Sequence, residues 1–220
     1  MFLVVTSSAD PDLSLFKSLP ETAIVVPAHL AQEGWIYEVG KGEHAQLVTA
    51  SGLLAASEIS AVLTRIRRVW PSELVHIGQD DREFVASEMT AFLAALLNEL
   101  PCTVVNRPAA TCLLGPPWTA AHWQRIAADA DFPVCGRDGS QCDGVAEVVI
   151  LGGKPIRGGT GPAQFTALAS HLAERAGVLL LSARFCCRHM SLREVSLRPE
   201  LDAELARAIS QYRATHTRQP

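Results

Sequence analysis

DREFVASEMTAFLAALLNELPCTVVNRP, residues 81–108, decides the class of fold. Phe84, Val85, Met89, Phe92, Leu93, Leu96 and Leu97 recur at three- and four-residue spacing, the period of a helix with one apolar face. Pro101 cannot continue that helix. The run Cys102-Thr103-Val104-Val105-Asn106 that follows is short, β-branched and closed by Pro108, as a buried strand is. A helix leading straight into such a strand is half of a βαβ unit, so the first part of the chain reads as α/β around a parallel sheet. Phe84, Met89, Phe92 and Leu96 are the side chains expected to bury against it.

Towards the N-terminus, FLVVT at 2–6 and TAIVV at 22–26 supply two more strands of that sheet. Between them lies a short helix ending at Leu19, with Ser8 or Asp10 as its cap. Gly40-Lys41-Gly42, flanked by residues 34–39 and 45–49, reads as a hairpin turn, and residues 58–64 show no clear period. Towards the C-terminus, a helix is expected at 118–131. A hairpin follows at 146–156, turning on Gly152-Gly153, then a helix at 162–176. Strands are expected at 178–182 and 191–197, and a terminal helix at 201–212. This half reads as a small antiparallel α+β unit. The stretch between Pro108 and Trp118, rich in proline and small residues, sets the boundary between domains 1–108 and 109–220.

Composition narrows the functions. The chain has 220 residues, a formal charge of −4 and 48% hydrophobic residues, with a mean hydropathy of +0.16. These values exclude a disordered tail, a fibre and a disulfide-stapled miniprotein. No apolar run reaches the roughly 18–20 residues of a membrane span. Met1–Asp10 lacks the basic flank and cleavage site of an export signal, so a cytoplasmic location is expected. Net acidity argues against a nucleic-acid partner. Lys17, Lys41 and Lys154 are the only lysines, a shortage that bears on any phosphate chemistry.

Cys102, Cys112, Cys135, Cys142, Cys186 and Cys187 have irregular spacing, and two are adjacent, which disfavours a disulfide framework. Cys186, Cys187 and His189 lie close enough in sequence to suggest a zinc or iron site with Cys135 or Cys142. No Cys-x-x-Cys pair is present, however, and adjacent strand residues face opposite ways. Buried or reactive thiols are the preferred reading, with no metal. Gly152-Gly153-Lys154 and Gly158-Gly159-Thr160-Gly161 do not match a phosphate-binding loop and read as turn and loop. Arg65, Arg67 and Arg68 alternate around Ile66. They read either as a charged strand edge paired with Glu58, Asp80 or Asp81, or as ligand-facing arginines. Glu83 and Glu88 on the long helix read as ordinary polar-face residues, with pairing to these arginines as the alternative.

Three segments, in order, resemble the ATP-grasp superfamily, specifically its peptide maturases and ribosomal-protein glutamate ligases. The first is Arg65-Ile66-Arg67-Arg68 with DREFVASE at 81–88 and its helix. The second is VNRPAA at 105–110, and the third is VVILGGKP at 148–155. Phe185 and Arg193-Glu194-Val195-Ser196 fall where that family places its metal-ligand strands. The resemblance implies a pre-ATP-grasp-like α/β domain followed by a truncated α+β grasp domain. It implies substrate binding at Arg65, Arg67, Arg68, Asn106 and Arg107, and a nucleotide-site remnant at Lys154, Glu194 and Ser196.

The departures shape the functional expectation. The lysine the family carries after the Asn-Arg-Pro strand is replaced within Leu114-Gly115-Pro116-Pro117-Trp118. The lid subdomain is reduced to residues 136–145. A strand meant to offer a metal-binding Asp reads Leu181-Ser182-Ala183-Arg184-Phe185, and the Glu-x-Asn pair reads Glu194-Val195-Ser196. The expectation is a degenerate ATP-grasp-like protein without cofactor, a non-catalytic binding or accessory subunit in peptide or natural-product modification. One alternative is a minimal ATP- and magnesium-dependent carboxylate–amine ligase; another is a cysteine- or metal-dependent enzyme using Cys186, Cys187 and His189. The expected partner is a second copy or a larger enzyme, with a peptide as ligand. That association would shield the sheet face bearing Val148, Ile150, Leu179, Leu181 and Val195, since helices at 162–176 and 201–212 cannot cover both sides.

Overall fold

Four short apolar runs make an all-parallel sheet in the first part of the chain. The computed structural model describes residues 1–135, 144–158 and 161–212; Cys142, most of the 136–145 loop, Gly159 and Thr160 lie outside these. Two compact units emerge: Met1–Gly115 with the segment from Leu201 onward, and Pro116–Glu200.

In the first unit, β1 (Phe2–Val5) is followed by α1 (Leu13–Ser18) and β2 (Thr22–Val25). β3 (Gln46–Thr49) and β4 (Gly52–Ala55) form a separate antiparallel pair. Then come β5 (Ala61–Thr64), α2 (Arg82–Glu99) and β6 (Thr103–Val105). The sheet order is β2-β1-β5-β6. The three predicted strands are present, and β5, which the sequence left without a period, lies between β1 and β6. All four of its residues are buried, and a strand covered on both faces shows no alternation to detect.

α2 buries Ala86, Leu93, Ala94, Leu96 and Leu97. Phe84, expected in the core, is 70% exposed. At about 100° per residue, it points away from Leu93, nine positions on. Phe92 is partly buried and makes edge-on contacts with Trp35 at 5.4 Å and Tyr37 at 5.8 Å. Those aromatic contacts help explain a second departure. The hairpin expected at Gly40-Lys41-Gly42 does not form, and the 34–39 segment meets β3 at the Ile36–Gln46 bridge and through the Gln46 side chain, which donates to the Gly34 carbonyl at 2.8 Å. The turn is tied to the end of α2 instead. The Gly40 N–H donates to Glu99 at 2.8 Å, and a Cβ on Gly42 would sit 2.5 Å from the Glu99 carbonyl oxygen.

In the second unit, α3 (Ala120–Asp129) precedes β7 (Val145–Leu151) and β8 (Lys154–Arg157). α4 (Ala163–Ala176), β9 (Leu180–Cys186) and β10 (Ser191–Ser196) complete it. The sheet order is β10-β9-β7-β8, antiparallel throughout. Val148, Ile150, Leu181, Ala183, Phe185 and Leu192 pack against Trp123 and Ala127 of α3 and Phe165, Leu168 and Leu172 of α4. Phe165 and Phe185 stack with centroids 4.3 Å apart. Burial of each such side chain contributes roughly 1.5–3 kcal/mol before entropy.

α5 (Ala203–Gln211) groups with the first unit, in contact with α1, rather than on this sheet. α3 and α4 share the roofing role assigned to the helices at 162–176 and 201–212. The apolar face expected to need a second copy is therefore covered from within the chain.

Candidate functional site: an arginine-centred carboxylate cleft

Strand alternation puts Val148, Ile150, Leu181, Ala183 and Phe185 on one face of the second sheet, and the other face carries Glu147, Ser182 and Arg184 alongside the buried Val149, Leu151 and Leu180. The register then sets Glu147 of β7 and Glu194 of β10 directly opposite Arg184 of β9. One step along, Ser182 pairs with Val149 and with Ser196. The chain after β10 returns Arg198, Pro199 and Glu200 to the same place, closing a cleft of about 170 Å³. That is well below the roughly 300–1,000 Å³ of sites for drug-sized ligands.

The cleft is organised around one guanidinium. Arg184 lies 3.7 Å from Glu147 and 3.8 Å from Glu194, and it donates to Glu200 at 3.2 Å. The hydrogen bond to Glu200, helped by attraction to all three carboxylates and opposed by burial, holds the Arg184 guanidinium above its ordinary pKa and fully charged. Glu147 is shared further: Arg157 donates to it at 3.1 Å and the Ser182 hydroxyl at 2.7 Å. Arg157 also reaches the Glu200 carbonyl at 3.1 Å. Glycine is required at position 158, because a Cβ there would lie 1.8 Å from the Glu147 carbonyl oxygen. This close approach anchors the strand segment that carries Glu147.

Of the nucleotide-remnant residues, Glu194 and Ser196 line this cleft. Lys154 is not among the residues lining it; it is exposed at the start of β8, opposite Leu151. Glu147, Ser182, Arg198 and Glu200 belong to no motif in the sequence. Glu147 interrupts an apolar strand, and a charge inside such a run is a usable signal. Glu200 follows Pro199 outside any periodic element and left none.

The first-unit candidates are arranged differently. β5 ends at Thr64, so Arg65, Arg67 and Arg68 lie beyond the strand rather than alternating along it. Arg65 is 3% exposed and pairs with Asp10 and Asp12, neither of them an expected partner. Its guanidinium also lies 5.7 Å from the Phe16 ring. Arg67 is exposed, and its carbonyl accepts from the Leu113 N–H at 2.9 Å. Arg68 stacks 4.0 Å from Trp70 and reaches Glu83 at 4.0 Å, as the helix partner reading anticipated. Asn106 is buried just after β6 with φ +56°. Arg107 donates to the carbonyls of Leu97, Asn98, Leu100 and Cys102 at 2.8–3.4 Å, closing the C-terminal end of α2.

The burial of Asp10 raises its pKa, but the Thr6 hydroxyl, the Asp12 N–H and the Arg65 charge outweigh this and hold its carboxyl below the usual range. Among the thiols, Cys186 is buried with its sulfur 3.4 Å from His189 Nδ1, while Cys187 is exposed. Cys135 meets the Ser191 hydroxyl at 3.0 Å. Among the described residues, no three His, Cys, Asp or Glu side chains are gathered closely enough to hold a metal ion.

No protein-family model and no curated protein matches this sequence. Solved structures do match its fold. The macrocyclase MdnC from Microcystis aeruginosa MRC, bound with precursor peptide MdnA, superposes with a TM-score of 0.68. It does so at 10% identity, over 96% of this chain and 98% of that one. A RiPP-associated ATP-grasp ligase from Chryseobacterium gregarium, in complex with ADP and a leader and core peptide, gives 0.66 at 10% identity, over 95% of each chain. The ATP-grasp ligase PsnB, with minimal precursor, Mg and ADP, gives 0.64 at 10% identity, over 96% and 98%. The fold is therefore that of the ATP-grasp peptide maturases. Among the described residues no helix is long and apolar enough to cross a membrane.

A magnesium–nucleotide group does not fit this cleft. Magnesium takes oxygen ligands in near-octahedral array, whereas here a guanidinium stands among the carboxylates. Arg157 already holds Glu147, and Arg198 adds a third positive charge to the surroundings.

Proposed function

We propose that this chain is a non-catalytic binding or accessory protein in peptide modification, built on an ATP-grasp-like scaffold whose lid is reduced to residues 136–145. The observation that carries the reading is Arg184, a positive side chain set among Glu147, Glu194 and Glu200. Two of the matched structures hold bound peptides, which supports peptide as the ligand class. In this reading the scaffold's peptide-holding role is kept, and a separate enzyme supplies the chemistry.

Calorimetry with precursor peptides encoded beside its gene is the direct test; the expected result is saturable binding with no requirement for nucleotide. ATP with magnesium at millimolar concentration is expected to leave the melting temperature unchanged. A hundredfold excess over Kd would add about 2.7 kcal/mol, so a real site would be plain. A nucleotide-dependent rise in melting temperature would favour the minimal-ligase alternative, and failure to bind any such peptide would remove the accessory role.

A further inference from the structure

We infer that the open edge of β4 is a docking strand for an extended, uncharged peptide segment, held by main-chain hydrogen bonds to Leu53. The inference rests on the proposed reading of peptide as the ligand class, but it concerns the first unit and not the arginine cleft.

Hydrogen-bond parity carries the argument. Facing residues of an antiparallel pair alternate between those that bond each other and those whose main-chain groups turn outward. The Ala56 N–H donates to the Ala45 carbonyl at 2.8 Å, so these two are a bonded pair. Gln46, one step along, instead exchanges hydrogen bonds with Ile36 on the other side of β3, at 2.8 and 3.0 Å. The register then runs without a shift, Gln46 facing Ala55 and Val48 facing Leu53. Val48 and Leu53 are therefore an outward pair, and the Leu53 N–H and C=O point away from β3. Among the described residues, β3 is the only strand paired with β4. The Ala55 N–H, the next outward donor, is taken by the Glu58 carboxylate at 3.0 Å. Leu53 is the open position.

Side chains leave that position bare. Leu53 is 61% exposed, and its side chain leans back across β3: a Cβ on Gly34 would lie 2.8 Å from Leu53 Cδ2. Ile36 faces Gln46, which faces Ala55, two residues from Leu53, so the exposed Ile36 shares the Leu53 face. Sheet edges are ordinarily guarded by charges or proline. Residues 45–57, AQLVTASGLLAAS, contain neither.

Length and charge select the occupant. Four residues at about 3.3 Å each offer about 13 Å of edge. That is too short for the roughly 1,200–2,000 Å² that a stable second copy would bury. An added peptide strand needs only main-chain bonds and a contact for alternate side chains. A charge opposite residues 45–57 would lose water with no partner to replace it. The segment that fits is uncharged, apolar and β-prone.

The experiment uses acetyl-Thr-Val-Thr-Val-Thr-amide as the probe, titrated against the native chain, Leu53→Ala and Leu53→Pro by saturation-transfer nuclear magnetic resonance. The native chain is expected to bind with a dissociation constant of about 1 mM or below. Leu53→Ala keeps the N–H and is expected to weaken binding less than threefold. Leu53→Pro removes a donor that the β3–β4 ladder does not use. Its fold is checked by circular dichroism, and binding is expected to weaken at least tenfold. Three results overturn the inference: no saturable binding by the native chain, native-like binding by a folded Leu53→Pro, or an equal loss in both variants, which marks mere apolar contact. A dimer in sedimentation that Leu53→Pro dissolves assigns the edge to a second copy and overturns it too. If Leu53→Pro does not fold, hydrogen exchange over residues 50–56 of the native chain decides. The probe is expected to slow it at least threefold, and unchanged exchange overturns the inference. Because the probe is not a precursor, its failure removes the edge and leaves the accessory role to its own calorimetric test.

Discussion

Arg65 and Arg184 are both ringed by carboxylates, one in each unit, yet their surroundings assign them different work. Arg65 is 3% exposed against a fully buried Asp10 side chain, with Asp12 partly covered beside it. The Arg184 side chain is 38% exposed, and its partners range from 21% to 85%. Coulomb attraction is screened where water reaches the charges and strong where it does not. Removing one partner from a buried cluster strands the others without solvent, whereas an exposed cluster rehydrates. The buried arginine is thus committed to the fold, while the open one can set the chemistry of a cleft at small cost to stability.

The comparison is tested first where the expected effect is largest. Arg65→Met leaves Asp10 and Asp12 without their guanidinium, and urea unfolding is expected to show a loss of about 3–5 kcal/mol. A loss below 1 kcal/mol would break the contrast.

The same cluster predicts a pH dependence. Because the Asp10 pKa is lower folded than unfolded, its contribution is present in full above the unfolded value, about 3.9. It is lost as the pH falls through the folded value, where protonation uncouples the cluster. Urea midpoints measured from pH 6 down to pH 2.5 are expected to fall more steeply in the native chain than in Asp10→Asn. Parallel curves would show that Asp10 contributes no such linkage.

Arg107 sharpens the comparison because it is exposed but bonded to carbonyls rather than to carboxylates. Arg107→Ala removes donors from the C-terminal end of α2, with an expected cost of about 1 kcal/mol. The smallest effect is expected at the open cluster: Arg184→Ala is expected to cost less than about 1 kcal/mol, because surface ion pairs are screened. A cost comparable to that of Arg65→Met would make the second cluster structural too.

Much of the fold was legible before any coordinates. Helical spacing marked α2, and short apolar runs marked β1, β2 and β6. Glycine turns marked the β7–β8 hairpin. Arg184 was visible as a positive charge where the resembled family has an acidic residue. Phe84 is not told apart by spacing, because apolar residues occur around much of α2 and only packing selects the buried side. β5 was missed because a strand buried on both faces carries no period.

The sequence by itself determined that Ser182 and Arg184 share one face of β9 and that Glu194 and Ser196 share one face of β10, since alternation is a local property of extended backbone. It did not determine that these residues face one another. Glu147 and Arg184 are 37 positions apart, and they meet only through the β7–β9 register. Glu194 rather than Arg193 faces Arg184 because of a single bulge. Register and bulge are set by the whole apolar face settling against α3 and α4, a tertiary balance that no local spacing encodes.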